Sequence, residues 1–432
     1  MSCNGDEMKI IELKKINKIN GTLKYEYTVS DELKKYFSNR DFIIEYPDIL
    51  TNIPDSILAI PFVCNVLPII WMTNSKLVIK EIDKSFYNCI PNLIKGYKVM
   101  YPDIDFLGEI SCEKIIENKY EDSGKSAMFY SGGLDSANTL IHHYNENLVL
   151  LSIWGSDIRF DNEEGWNLTH TAIEEAAKKF SLKEAVFRST FREFDNEGTL
   201  DKDFSKTLGD GWWHGIKHGL ALIGHVAPYV YLHKISKFYI ASSNCEAYGI
   251  RKCASSPYTD NCVRFADCRV IHDGFEFSRQ DKVHNIVNFC KNNNTNFNLH
   301  VCWESHTGGN CCHCEKCYRT ICELIAEGEE PEKFGFFDCS LYIRDMRGII
   351  SSDVNKIEYI VMYFSEIKQT AINNKSIIER NRYYNDFKWI LKTDFVYDKP
   401  IKIPFKYKFK KNLIKNPFYV FLHNLKCKIK TE

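Results

Sequence analysis

Hydrophobic positions recur along this chain with two different periods, and the change of period divides it. In the first 118 residues Tyr25–Val29 alternates and Phe42–Tyr46 is a short apolar run, so both read as strands. Leu77–Lys80 is a third strand candidate, and Asp83–Met100 has helical spacing. The most apolar stretch, Ile57–Met72, is interrupted by Pro61, Asn65 and Pro68. It reads as buried strand or loop and is too short to cross a bilayer. Ile115–Lys125 is polar and charged, which places a domain boundary near 118. Beyond it, strand-like and helical segments alternate. Ser126–Tyr130 reads as a buried strand and Ala137–Tyr144 as the opening of a helix. Leu148–Trp154 is nearly all apolar, as a buried parallel strand should be. Thr169–Phe180 is an amphipathic helix, Ala185–Arg188 a strand, Ile216–Leu232 an apolar helix and Phe238–Ser242 a strand. Such alternation predicts an α/β domain over 119–340, built on a doubly wound parallel sheet with its ligand at the carboxyl ends of the strands. Residues 1–118 then form an N-terminal α+β domain of unassigned role, and 341–432 a C-terminal extension with a helix over Val354–Ile378.

The chemistry concentrates between the first strand and helix of that domain, in Ser131-Gly132-Gly133-Leu134-Asp135-Ser136. A strand turning through two glycines into a helix aims backbone N–H groups and the positive end of the helix dipole at one point, which suits a phosphate. The two serine hydroxyls can donate to phosphate oxygens, and Asp135 can hold a phosphate-bound Mg²⁺. The bland alternative is an ordinary glycine-rich connection. There is no Gly-Lys-Ser/Thr ending of the kind a Walker loop uses. Ser152–Asp157 and Ser242-Ser243-Asn244 follow strands, so Ser152, Trp154, Ser242 and Ser243 are candidates to contact an adenosine.

A second signal is Cys302, Cys311, Cys314 and Cys317, two overlapping Cys-x-x-Cys units with one cysteine upstream. Four thiolates at this spacing can close a tetrahedral Zn²⁺ site, hence a structural one. Free thiols, a redox pair and an iron–sulfur cluster are the alternatives. Cys312 and His313 are spare candidates. A looser set, Cys245, Cys253, Cys262 and Cys268, reads mainly as buried structural cysteine. Its sharpest member is Cys268, between Asp267 and Arg269, where a neighbouring guanidinium would favour the thiolate. Arg269 could neutralise a substrate carboxylate or the α-phosphate, or simply pair with Asp267. His214 and His218 share a helix face and, like Trp212 and Trp213, read as packing residues.

The Ser-Gly-Gly-x-Asp-Ser string resembles the PP-loop of the ATP pyrophosphatase superfamily. With Ser242-Ser243-Asn244, Asp267-Cys268-Arg269 and the cysteine array, residues 126–336 look like the cyano-deazaguanine synthase (QueC-like) family. The resemblance implies an adenine nucleotide alpha hydrolase fold. It also implies ATP cleaved between its α- and β-phosphates with Mg²⁺, an adenylated acceptor oxygen, and a four-cysteine zinc site. Asp135, Asp267, Cys268 and Arg269 become candidate catalytic residues, with Ser131 to Ser136 on the nucleotide. Glu246–Ala266 and Ile271–Arg279 do not look like that family's segments, so deazaguanine is not carried over as the substrate. An amide, nitrile or thioamide product is expected, from a small-molecule or peptide acceptor and an ammonia or sulfur donor. An RNA-thiolating enzyme and an idle nucleotide-binding protein are the competing readings.

Bulk composition changes this picture little. The formal net charge of −1 gives no global attraction to nucleic acid or membrane. From Lys399 onward there are ten lysines and one acidic residue, Glu432; this tail could grip RNA or an anionic surface, but a face packed on the body is favoured. Met1–Glu7 has no basic start leading into an apolar run. With seventeen cysteines, several tightly clustered, the expectation is a reducing cytoplasm. A homodimer is left open.

Overall fold

The computed structural model describes residues 8–302, 304, 309–337, 339 and 358–397. The basic tail from Lys399 and the start of the helix expected at Val354 lie outside these residues. The chain divides into two units.

The first unit comprises residues 1–130, 142–166 and 173–275. It is built on one eleven-stranded sheet: β1 (Ile10–Ile19), β2 (Thr22–Val29), β3 (Phe42–Glu45), β4 (Lys76–Asp83), β5 (Glu109–Ile116), β6 (Ser126–Phe129), β7 (Leu148–Trp154), β8 (Lys183–Ser189), β9 (Lys237–Ala241), β10 (Arg264–Phe265) and β11 (Cys268–Asp273). The order is β10-β11-β9-β6-β7-β8-β3-β2-β1-β4-β5. Within it, β8-β7-β6-β9-β11 are all parallel. This is the doubly wound order, and it reverses between β6 and β9. The expected α/β sheet is therefore present.

The boundary expected near 118 does not divide the sheet. β3 pairs antiparallel with β8 through Ile44↔Ser189 and Glu45↔Arg188, so the N-terminal strands continue the parallel block. Buried hydrogen bonds seal the join. The hydroxyls of Tyr46, Tyr97 and Tyr101 donate to the carbonyls of His225, Ile216 and Gly215 at 2.8, 2.9 and 2.6 Å. Asp83 accepts from the N–H of Phe86 and of Ala266, both at 2.9 Å. One apolar core consequently runs from Ile11 to Val270.

The apolar stretch read as strand or loop is in fact a helix, Ile60–Thr73, nearly all of it buried. Pro61 lies in its first turn, where no intrahelical donor is lost. It packs on the helix His218–His233. A Cβ on Gly224 would lie 2.5 Å from the Cβ of Cys64, so that crossing requires glycine.

The second unit comprises residues 131–141, 167–172 and 276–432. It contains most of the helix Leu134–His143, the helices Arg279–Asn292, Glu315–Ala326 and Glu358–Asn373, and the cysteine array. Tyr318, Ile321, Leu324, Ile325, Phe364, Ile367, Trp389 and Ile390 are buried. The Trp389 Nε1–H donates to the Tyr318 hydroxyl at 3.2 Å, and Asn374 Nδ2 donates to the Ala326 carbonyl at 2.9 Å. Among the described residues no helix is long and apolar enough to cross a membrane.

Candidate functional site

In the second unit the chain turns at Gly132, whose φ of +75° favours glycine, and enters its helix at Leu134. Ser136 Oγ donates to the Gly133 carbonyl at 3.1 Å and lies 3.4 Å from both the N–H and the Oγ of Ser131. The two hydroxyls thus sit together at the start of the helix, whose first N–H groups have no intrahelical acceptor. The His300 N–H donates to the Gly132 carbonyl at 2.8 Å and fixes the turn from outside.

Asp135 projects from the first helical turn onto Lys282, whose Nζ lies 2.9 Å from Oδ1. The lysine side chain is only 2 % exposed and the carboxylate 23 %. Burial alone would raise the Asp135 pKa, but the charges of Lys282, Arg279 and Lys316 overcome it and hold the carboxyl below its usual value. Behind Lys282, Arg279 donates through Nε to Glu323 Oε1 at 2.9 Å and through Nη2 to Thr320 Oγ1 at 2.8 Å. The Arg319 guanidinium lies 4.2 Å from the centre of the Tyr363 ring. Four cations, Arg279, Lys282, Lys316 and Arg319, therefore surround three carboxylates, Asp135, Glu315 and Glu323. Such a cluster can accept further anionic charge. A Mg²⁺ would find one carboxylate here, with Lys282 on Oδ1; its other ligands would be phosphate oxygens and water.

Lys282 and Arg279 escape the sequence reading although a signal exists. Ser278 and Asp281 form a capping box, which fixes the helix start at Arg279. Two cations in a first turn oppose the helix dipole, and that conflict marks them as partners of something anionic.

The four cysteines expected to converge do so. Sγ of Cys302 and Cys314 are 3.9 Å apart, as are those of Cys311 and Cys317, and all four atoms lie within 4.8 Å of one another. A tetrahedron with Zn–S near 2.3 Å has edges of about 3.8 Å. Cys314 caps the helix Glu315–Ala326, and its sulfur accepts the Cys317 N–H at 3.4 Å. Asn310 ties the two strips of chain that carry the sulfurs, accepting from the Val301 N–H at 3.0 Å and donating to the Leu299 carbonyl at 2.7 Å. The cluster can hold a metal ion. Cys312 is turned away, buried beside the Asn310 carbonyl.

The remaining candidates belong to the first unit. Ser152 is buried and its hydroxyl donates to the Tyr130 carbonyl at 2.7 Å. Ser242 follows β9 and donates to the Asn244 carbonyl at 2.7 Å; Ser243 beside it is exposed. Trp154 stacks on Trp166 with ring centres 5.5 Å apart, and the Arg188 guanidinium lies 4.2 Å from its ring.

Asp267, Cys268 and Arg269 do not take the place expected of them. Arg269 pairs with Lys237, the first residue of β9, and lies four residues before the carboxyl end of β11 at Asp273. That is roughly 13 Å of extended chain from the end where an open parallel sheet binds ligands. Arg269 is exposed, and Asp267 accepts the Tyr120 N–H at 2.6 Å. Cys268 is 1 % exposed, and burial pushes its thiol pKa well up, so it holds no thiolate.

No family model matches this chain, and no curated protein matches it.

Proposed function

We propose that this protein is an ATP-dependent, AMP-forming synthase of the PP-loop type, with an adenine nucleotide alpha hydrolase fold. The observation that carries the reading is the Ser131–Ser136 turn. Two hydroxyls and a helix N-terminus meet there, and Asp135 is held ionised by the buried Lys282, a lysine outside the loop. In this reading the loop takes the β- and γ-phosphates with Mg²⁺. An acceptor oxygen, carboxylate or amide, attacks the α-phosphorus, and ammonia or a sulfur nucleophile then displaces AMP. Catalysis consists of holding the groups in line and neutralising charge; Lys282 supplies the cation that a Walker lysine supplies elsewhere. Cys302, Cys311, Cys314 and Cys317 hold one structural Zn²⁺, since four sulfur ligands leave no open position.

The test needs no knowledge of the acceptor. Pyrophosphate with Mg²⁺ should bind the protein in calorimetry, and binding should be lost in Asp135→Ala and Ser136→Ala. ATP incubated with candidate acceptors should give AMP and pyrophosphate. ADP and phosphate as products, or no pyrophosphate binding, would refute the assignment.

A further inference from the structure

A groove of about 600 Å³ opens in the first unit, between the helix Lys84–Met100 and the segment Tyr258–Arg264. That volume is within the ordinary range of ligand sites. The helix lines it with Ser85, Asn88, Asn92, Lys95 and Val99, spaced by three or four positions and so on one face. The opposite wall carries Tyr258, Asn261 and Arg264. The two walls meet at Gly96, where a Cβ would come within 1.9 Å of the Tyr258 carbonyl oxygen. Cys89 and Cys262 also line the groove, but burial raises the pKa of both thiols, so neither is a nucleophile here.

The lining has two cations and no carboxylate. Lys95 and Arg264 are exposed, and among the described residues neither makes an ion pair. Arg264 is nevertheless held in place, because its Nη1 donates to the carbonyls of Asn261 and Val263 at 3.0 and 2.8 Å. Asn261 Oδ1 accepts the His272 N–H at 2.8 Å, which leaves its Nδ2 as a donor. Asn88 and Asn92 are exposed carboxamides four positions apart on the helix, a rise of about 6 Å. Along one edge of an extended peptide, every second residue presents its N–H and C=O together, at a repeat of roughly 6.6 Å. A carboxamide offers a donor and an acceptor, as a peptide unit does. The two asparagines therefore match the backbone of an extended chain. From Ser85 to Val99 the stripe runs about 21 Å, the length of roughly six extended residues.

We propose that this groove binds an extended acidic peptide segment. Asn88 and Asn92 pair with alternate residues of its backbone, and Lys95 and Arg264 take the carboxylate of an aspartate or glutamate. The cations set the preference for acid, because an acidic side chain completes charges that the protein leaves unanswered. A nucleic-acid strand fits less well. It would need cations along its phosphates and rings on which its bases stack, and the groove supplies two cations and one aromatic residue, Tyr258. The site lies wholly within the first unit and stands whether or not the second unit handles ATP.

The experiment titrates full-length protein into fluorescein-labelled hexapeptide pools, each with one position fixed as aspartate, glutamate, alanine or lysine and the others randomised. Labelled hexathymidylate is run beside them, and binding is followed by fluorescence anisotropy. An acid-fixed pool should bind at least about tenfold more tightly than the lysine-fixed pools and the oligonucleotide. The double variant Asn88→Ala/Asn92→Ala leaves every charge in place and should weaken that binding about tenfold. Lys95→Glu should abolish the preference for acid. All three positions are exposed on a helix, and melting temperatures check that the fold is kept. Binding by no pool, equal binding of the lysine pools, or tighter binding of hexathymidylate overturns the proposal. Unchanged affinity in the asparagine variant also overturns it, since a bare patch of charge would then account for the binding.

Discussion

Two buried lysine–aspartate pairs, one in each unit, share their chemistry and differ in surroundings. In the first unit Lys217 lies 2.7 Å from Asp195, and both side chains are wholly buried. Lys217 also donates to the Phe191 carbonyl at 3.0 Å and is ringed by Phe191, Phe194 and Trp213. In the second unit Lys282 is equally buried, but Asp135 keeps an exposed edge beside two hydroxyls and a helix N-terminus. The first pair is enclosed by aromatic rings, backbone and the Glu197 carboxylate, 3.4 Å from Lys217, and it fastens the 190–197 segment to the π-helical turn Trp213–Lys217. The second is open on one side and set in an excess of cations. Burial of an ion pair thus says little about function; what matters is whether the pair retains a face toward solvent and a charge that a ligand can complete.

The largest effect should separate the two. Lys282→Met should weaken pyrophosphate binding on the order of 100-fold, as loss of a preorganised cation does. Lys217→Met, measured on its folded fraction, should change it less than about twofold. Equal losses would erase the distinction.

Stability should run the other way. Removing Lys217 leaves Asp195 sealed from water without its cation, at a cost of about 3–5 kcal/mol in urea unfolding, whereas the double variant Lys217→Met/Asp195→Leu should recover most of it. Lys282→Met should cost less, since Asp135 can be hydrated at its exposed edge.

A smaller, pH-dependent difference follows from His225, whose Nε2 is 2.9 Å from Ser189 Oγ and whose Nδ1 donates to the Ala221 carbonyl. Burial, reinforced by Lys217, lowers its pKa to about 4. Between pH 6.5 and 4 the unfolded chain takes up a proton that the folded one refuses. Stability from this group is therefore complete above pH 6.5 and falls by about 1.4 kcal/mol per pH unit below it. Asp135 behaves differently: with its pKa lowered, its contribution is present above about pH 4 and is lost only as pH falls further. Hydrogen exchange should show the first unit loosening from pH 6.5 downward, and His225→Gln should flatten that slope. The smallest effect concerns Arg269→Lys, which should leave pyrophosphate binding and melting temperature unchanged within error; a sharp loss would return Arg269 to the site.

Legibility in the sequence followed the range of the interaction. The strand, glycine turn and helix around Asp135 are local, and so is the cysteine spacing, and both stand where the pattern puts them. The partners of Asp135 are not local. Lys282 is 147 residues away, and nothing in its own neighbourhood names the carboxylate it meets. Ile57–Met72 was misread because a helix apolar on every side has lost the 3.6-residue signature that would distinguish it. The boundary at 118 failed for a related reason: a polar linker does precede β6, yet the four-residue strand β3 joins β8 and fuses the flanks into one sheet. Cys268 looked reactive from its neighbours in sequence, but alternation along β11 turns its side chain inward and those of Asp267 and Arg269 outward.

The second unit is assembled from three separated stretches of chain, and this has a consequence for synthesis. The glycine turn at Gly132 leaves the ribosome early, but the 147 residues that separate Asp135 from Lys282 take roughly 7–30 s to translate at ordinary speeds. During that interval the glycine turn exists without its counter-charge. On the proposed reading, nucleotide capture would then be a property of the finished polypeptide, and a nascent or truncated chain ending before Arg279 should be blind to ATP however well its sheet has formed.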